Sequence, residues 1–371
     1  MSRILIFHIS NFGGHKKASE NIKEALSFKN PYSEIINLNG FGYVSPRIEK
    51  FVDSVYSLTI KYSPNLWGKV YDRKKVVKSL APLRKAINSL AIPKFLQLID
   101  EFKPQVVFAT QAFPCGIMAD LKKKYKMDII LIGVVTDYYP HRFWIHQEVD
   151  VYTVACNEAK AILMKEGIEE NKIKVFGIPI SVKFLNTYSK EVISKEFGFF
   201  PDLKTVILMG GGLGIGPIEK IAELLDEIEE KFQLIVVCGK NKKLFSWFKR
   251  KYKSFKKPIF YFGYVDFVNK LMDFSDIIIS KAGGLSTSEA LAKGLATILV
   301  NSIPGQEKRN VQYLHTKQAI LEAKTIDEVP GIVKFILRDK VKLFSLKENA
   351  KENAIIDSSL RIANLALKYI Q

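Results

Sequence analysis

The run Ile277-Ile278-Ile279 is broken by Ser280-Lys281-Ala282-Gly283-Gly284, and Leu285 to Glu289 then lead into Leu291, Ala292 and Leu295 at helical spacing. A short β-branched run of this kind predicts a buried strand. Ser286 as N-cap with Glu289 three residues later predicts the start of a helix. Strand, glycine pair and helix N-terminus together fit an anion site, because small residues let the backbone approach a phosphate and free N–H groups point at it. A capped helix with no ligand fits the same residues. A second strand, Thr297 to Val300, precedes a polar loop at its carboxyl end, with Pro304, Gly305, Gln306, Glu307 and Asn310. In an open α/β sheet, ligands bind at that end.

The same unit recurs along the chain. Ile4 to Ile9 reads as a strand, Ser10 to His15 as a glycine-containing turn, and Ala18 to Leu26 as a helix. Val106 to Ala109, Ile129 to Val135, Val151 to Ala155 and Ile173 to Phe176 read as further strands, the second of them delivering Thr136 to Trp144. After Gly177-Ile178-Pro179-Ile180 the pattern restarts with strand Thr205 to Met209 and five glycines between Gly210 and Gly216. Those glycines fit close approach by a ligand or another domain, or a flexible hinge. A helix over 218–232, strands Leu234 to Cys238 and Ile259 to Phe262, and a long helical pattern from Phe344 to Ile370 complete the series. Strands alternating with helices predict an α/β class with doubly wound sheets, and 371 residues suffice for two such domains.

The formal charge of +18 implies attraction to something acidic: nucleic acid, anionic lipid or a nucleotide. Residues 61–126 hold 14 Lys and Arg against 4 Asp and Glu, and Lys240 to Lys257 hold nine basic residues and no acid. Between 41 and 78, aromatic residues including Tyr62, Trp67 and Tyr71 run into Arg73, Lys74, Lys75 and Lys78. That composition fits an interfacial segment, with rings at the headgroup level and cations on anionic lipid, or two amphipathic helices with a solvated basic face. For the Lys240 to Lys257 run a half-buried helix with a solvated basic face is the simpler expectation, and a second lipid contact the alternative. Cys115, Cys156 and Cys238 are widely spaced in apolar surroundings and read as buried thiols. No signal-peptide pattern precedes the first strand, and no apolar run nears the roughly 20 residues of a spanning helix.

Ser280 to Gly294 followed by Ile303 to Asn310 resembles the donor-nucleotide half of the GT-B glycosyltransferases. More narrowly it resembles family 28, the group of diacylglycerol glucosyltransferases and monogalactosyldiacylglycerol synthases. Phe12-Gly13-Gly14-His15-Lys16-Lys17-Ala18 resembles the group's first glycine-rich turn, with Phe12 in place of its first glycine. Thr136-Asp137, His141 and Trp144 resemble its Thr-Asp-x-x-x-His-x-x-Trp loop, and the matches run in order from residue 10 to 312. The resemblance implies two Rossmann-like doubly wound domains facing across a cleft, with the terminal helix crossing back. Residues 1–185 would be an acceptor and membrane-binding domain, 186–355 a UDP-sugar donor domain, and 356–371 the returning helix.

The implied activity is inverting transfer of glucose or galactose from the UDP-sugar to the 3-hydroxyl of 1,2-diacylglycerol. His15, with an imidazole near its ordinary pKa of about 6.5, would take the acceptor proton, helped by Asp137. Gly211, Gly212, Gly214, Gly283, Gly284, Leu285 and Ser286 would hold the diphosphate, and the backbone at Val265 the uracil. Glu289 would accept from the ribose, and Gln306, Glu307 and Asn310 would bind the hexose. Gly13, Gly14, His141 and Trp144 would line the acceptor side, Trp144 as an apolar wall, and Tyr62, Trp67, Tyr71, Arg73, Lys74 and Lys75 would meet the membrane. No metal is implied, anionic phospholipid is a candidate activator, and the expected location is peripheral, on the cytoplasmic face of the cell membrane, with no nucleic-acid partner. The same chemistry on a polyprenyl-linked acceptor, a UDP-sugar epimerase of the same architecture, and a non-enzymatic basic binding protein are the competing readings.

Overall fold

The computed structural model describes residues 2–9, 13–47, 49–50, 81–300, 302 and 304–370, so Tyr62, Trp67, Tyr71, Arg73, Lys74 and Lys75 lie outside the described residues. The chain divides into two compact units. One comprises Met1–Val182, Ile303–Gln306 and Asp357–Gln371, the other Lys183–Ser302 and Glu307–Ile356.

In the first unit, β1 (Arg3–His8), β2 (Glu34–Asn39), β3 (Val106–Ala109), β4 (Ile130–Val134), β5 (Val151–Val154) and β6 (Ile173–Val175) form a six-stranded parallel sheet in the order β2-β1-β3-β4-β5-β6. Helices α1 (Gly14–Lys29), α2 (Gly40–Val44), α3 (Ala81–Phe102), α4 (Ala112–Tyr125) and α5 (Asn157–Lys165) connect them. Ile4 to Phe7 and Val106 to Ala109 have no exposed surface, which is why they read as unbroken apolar runs.

In the second unit, β7 (Lys204–Met209), β8 (Phe232–Val237), β9 (Ile259–Phe262), β10 (Ile277–Ser280), β11 (Ala296–Val300) and β12 (Ile320–Ala323) form a second parallel sheet in the order β12-β11-β10-β7-β8-β9. Its helices are α6 (Lys190–Phe197), α7 (Ile218–Asp226), α8 (Lys242–Lys251), α9 (Val268–Phe274), α10 (Gly284–Ala292), α11 (Gln306–Thr316), α12 (Val329–Arg338) and α13 (Lys340–Glu352). The helix expected over 218–232 stops at Asp226, whose carboxylate accepts from the amides of Lys256 and Lys257, and Phe232 already starts β8.

The long terminal helix expected from Phe344 to Ile370 is two helices. The first, α13, ends at Glu352 and is capped by Asn353, whose side-chain amide turns back onto the Asn349 carbonyl at 2.8 Å. The second, α14 (Ser358–Lys368), belongs to the first unit, where Ile362, Ala363 and Ala366 share a core with Ile22, Ala25 and Leu26 of α1. Its first turn grips the end of the first unit's chain, Ser358 accepting from the Ile180 amide at 3.2 Å and Ser359 donating to the Ile180 carbonyl. Among the described residues no helix is long and apolar enough to cross a membrane.

Candidate active site

Each sheet has one place where successive connections leave in opposite directions, and this opens a crevice at the strands' carboxyl ends. In the first sheet it lies between β1 and β3, paired up to Phe7 and Ala109. Thr110 follows at once and is tied to the neighbouring strand by its amide, 2.9 Å from the Phe7 carbonyl. His15 sits in the first turn of α1, which starts at Gly14 after Gly13 at φ +94°. Its Nδ1 is 2.8 Å from the Thr110 carbonyl, and Thr110 Oγ1 donates back to the His15 carbonyl at 2.9 Å. Thr136, two residues past the end of β4, places its hydroxyl oxygen 2.9 Å from the same Nδ1.

A carbonyl oxygen only accepts, so Nδ1 carries the hydrogen and Nε2 carries the lone pair. Burial is the largest influence on this ring and His8 adds to it. The Thr110 carbonyl opposes both, and the pKa settles at about 4. The expectation of an ordinary imidazole near 6.5 is therefore corrected: the ring is neutral throughout the physiological range, while the residue keeps part of its surface exposed. His141 is buried as well, and burial followed by the nearby His15 depresses it to about 3. Asp137 is 5% exposed beside Thr136. Trp144, expected as an apolar wall, is 2% exposed in a 3₁₀ turn and packs its ring 6.2 Å from that of His141. It supports the loop from within, and its carbonyl accepts from the Tyr152 hydroxyl. Gly13 and Gly14 are exposed at the start of α1.

In the second sheet the crevice lies between β7 and β10, paired to Met209 and Ser280. The turn after β7 is closed on itself, with the Ile215 amide on the Gly210 carbonyl at 3.1 Å and the Gly214 amide on Gly211 at 3.0 Å. A β-carbon at Gly214, which has φ +61°, would lie 2.0 Å from the Cys238 carbonyl oxygen. Glycine is required there for space and for conformation alike. The turn after β10 comes alongside: a β-carbon at Gly211 would lie 3.6 Å from Lys281 Cε and 3.9 Å from Ser286 Oγ. One at Gly212 would lie 4.0 Å from the Tyr264 ring, in the turn after β9 that also carries Val265.

Helix α10 begins at Gly284 with extended Gly283 as its cap residue and no side-chain cap. Ser286 is therefore inside the first turn rather than the N-cap, since Gly283 already closes the helix through its carbonyl to the Thr287 amide at 3.0 Å. Leu285 and Glu289 are buried in this helix. Gln306, Glu307 and Asn310, expected in a loop, form the first turns of α11. Asn310 is fully buried and donates to the Ala282 carbonyl at 3.0 Å, so it fastens α11 to the glycine turn. Glu307 accepts from Lys281 Nζ at 3.2 Å.

The residues with no role assigned from sequence are His8, Thr110, Thr136 and Lys281. Each lies at or within two residues past a strand's carboxyl end.

Two doubly wound parallel sheets, each with its candidate residues at its own switch point, define the GT-B fold. Among solved structures the chain is similar to MurG of Acinetobacter baumannii, with a TM-score of 0.65 at 13% identity over 99% of this chain and 100% of the other. It is also similar to a UDP co-structure of Staphylococcus aureus MnaA, with a TM-score of 0.61 at 16% identity over 100% and 97%. Those likenesses concern the fold. Residues 15–180 match the model of monogalactosyldiacylglycerol (MGDG) synthase, and residues 205–360 the glycosyltransferase family 28 C-terminal domain. A processive diacylglycerol beta-glucosyltransferase of Bacillus licheniformis is 26% identical over 96% of this chain and 92% of its own length. One from Bacillus cereus is 29% identical over 94% and 88%. The chain belongs to glycosyltransferase family 28, in the group of diacylglycerol glucosyltransferases and monogalactosyldiacylglycerol synthases.

Proposed function

We propose that the chain is an inverting UDP-hexose:1,2-diacylglycerol hexosyltransferase, with glucose as the hexose, working as a peripheral protein on the cytoplasmic face of the cell membrane. The first unit would take the acceptor and the second the donor. The observation that carries the chemistry is the His15 ring, whose Nδ1–H is committed to the Thr110 carbonyl so that Nε2 keeps its lone pair in a neutral ring. The names of the relatives matched along nearly the whole chain supply diacylglycerol and the β-glucosyl group.

In the reaction, the acceptor oxygen attacks C1 of the hexose while His15 Nε2 takes its proton. The C1–O bond to UDP breaks on the opposite face, and its electron pair leaves on the β-phosphate oxygen, giving inversion. Asp137 next to Thr136 would steady the acceptor hydroxyl. The amides of the Gly210–Gly216 turn, the N-terminus of α10 and Lys281 would offset the charge that develops on the diphosphate. Glu289 would take the ribose hydroxyls and Val265 the uracil, with Gln306, Glu307 and Asn310 at the hexose. The likeness to MurG and MnaA is one of fold and favours neither a polyprenyl acceptor nor epimerisation over this reaction.

The test supplies labelled UDP-glucose and, separately, UDP-galactose with diacylglycerol in mixed vesicles. Label from UDP-glucose in the lipid phase, with β-configuration at C1, is the expected outcome. Transfer to polyprenyl phosphate lipid alone, or release of free sugar without a lipid product, would refute it.

A further inference from the structure

Helix α8 carries a charge pattern that neither the fold nor the transfer reaction uses. Leu244 and Phe248 are fully buried, and Phe245 and Trp247 pack partly against the same core. Lys242, Lys243, Ser246, Lys249 and Arg250 are all exposed. At 100° per residue these five fall within about a third of the helix circumference, one stripe along about 12 Å of axis. Of the five other cations of the same run, Lys251 lies on the opposite side of the helix and four are engaged by the protein. Lys256 pairs with Glu227 at 2.5 Å, Lys257 donates to the Ile228 carbonyl at 2.5 Å, Lys253 lies over the Tyr252 ring, and Lys240 over Tyr264. Among the described residues, none of the four cations on the α8 stripe has an ion-pair partner.

Local stability does not account for the stripe. Lys249 and Arg250 suit the negative end of the helix dipole, but Lys242 and Lys243 occupy the first turn, where cations are disfavoured, and no acidic residue accompanies them. Asn241 caps that turn by accepting from the Leu244 amide at 3.0 Å, so the helix forms in spite of the two lysines. The aromatic residues nearby are not a platform for stacked bases. Tyr252 lies against Tyr261 at 5.4 Å, and Trp247 and Phe248 stack edge to face at 4.9 Å inside the packing. Single-stranded nucleic acid is held by a basic groove combined with open aromatic faces, which this convex stripe lacks. A laterally extended sheet of negative charge is the partner that a convex row of unpaired cations fits.

We propose that the Lys242, Lys243, Lys249 and Arg250 face of α8 is a membrane contact of the second unit, taking the headgroup phosphates of an anionic bilayer. It rests on the reading that the acceptor is a bilayer lipid, and it assigns part of the membrane attachment to the donor unit, separately from the aromatic and basic residues between 41 and 78.

The test compares the full chain with a Lys242→Gln, Lys243→Gln, Lys249→Gln, Arg250→Gln variant, by co-sedimentation with vesicles of equimolar phosphatidylglycerol and phosphatidylcholine and with phosphatidylcholine alone. Four charges at such a surface predict a loss of at least about tenfold in partition onto the anionic vesicles at low salt. The loss should shrink at high salt and be absent on phosphatidylcholine. A version carrying Lys242→Arg, Lys243→Arg and Lys249→Arg should bind like the unaltered chain, which separates lost charge from lost folding. Equal partition of the glutamine variant and the unaltered chain onto anionic vesicles would overturn the proposal. So would loss of binding to an RNA oligonucleotide with vesicle binding intact. Transfer to diacylglycerol in neutral detergent micelles should be the same for both proteins. If neither transfers hexose there while the vesicle difference persists, the acceptor reading falls and the contact stands.

Discussion

Lys281 shows how much a single position can decide. It follows directly on the last paired residue of β10, lies against Gly211 and Gly283, and its ammonium meets the Glu307 carboxylate at 3.2 Å. A diphosphate arriving at these glycines would compete with Glu307 for that ammonium and release the carboxylate for the sugar. Lys281→Met should weaken UDP about tenfold and leave uridine unchanged, as one charge-assisted contact to phosphate requires. Titration calorimetry with both ligands measures this, and equal losses for the two would contradict it. Sequence alone singles out His15 and Asp137, because their flanking residues resemble known turns. Thr110 and His8 carry no such mark, and Thr136 is marked as part of the Thr-Asp loop without a role of its own. Their importance comes from three strand ends meeting, and that adjacency depends on sheet order.

At the scale of elements, the buried strands are legible in the sequence because both faces of β1, β3, β7 and β10 are covered, leaving unbroken apolar runs. Two of the four edge strands, β2 and β12, are not, although β6 and β9 at the opposite edges read as strands. β2 reads Glu-Ile-Ile-Asn-Leu-Asn, half polar, and β12 is only Ile-Leu-Glu-Ala, four residues with a glutamate among them, because one side of each faces away from the sheet. The helix starts at Gly284 and Gln306 are displaced from expectation for a related reason. Ser286 has the chemistry of a cap, but the chain closes its first turn through Gly283, and the residues taken for a loop after β11 already have helical bonds. The Gly210–Gly216 turn is the rigid counterpart. Its carbonyls are claimed by Lys240 and Asn241 at 3.0 Å each, so it is a built surface and not a hinge. Gly214→Ala should cost on the order of 3 kcal/mol, from the left-handed conformation plus the clash with the Cys238 carbonyl. Urea unfolding of the second unit measures this, and a midpoint unchanged from wild type would contradict it.

For the whole molecule, two depressed histidines set a pH dependence. His15 at about 4 and His141 at about 3 are both neutral when folded, and both take up a proton near 6.5 when unfolded. The unfolded chain therefore binds more protons than the folded one between those limits. Stability is complete above about pH 6.5 and falls as the pH drops toward 4. The first unit should lose on the order of 4 kcal/mol between neutral pH and pH 5, read as a lower urea midpoint, with about half that loss in His141→Gln. A midpoint that rises on acidification would contradict the sign. The same depression means that transfer activity has no acid limb near 6.5 from His15, whose base form persists to about pH 4.

The most direct test is the rate of hexose transfer to diacylglycerol by the unaltered chain beside His15→Ala, with the UDP dissociation constant measured for both. Loss of the positioned base should slow transfer by at least about a hundredfold while UDP binds as before. Transfer by His15→Ala at the rate of the unaltered chain would contradict the assignment of the base.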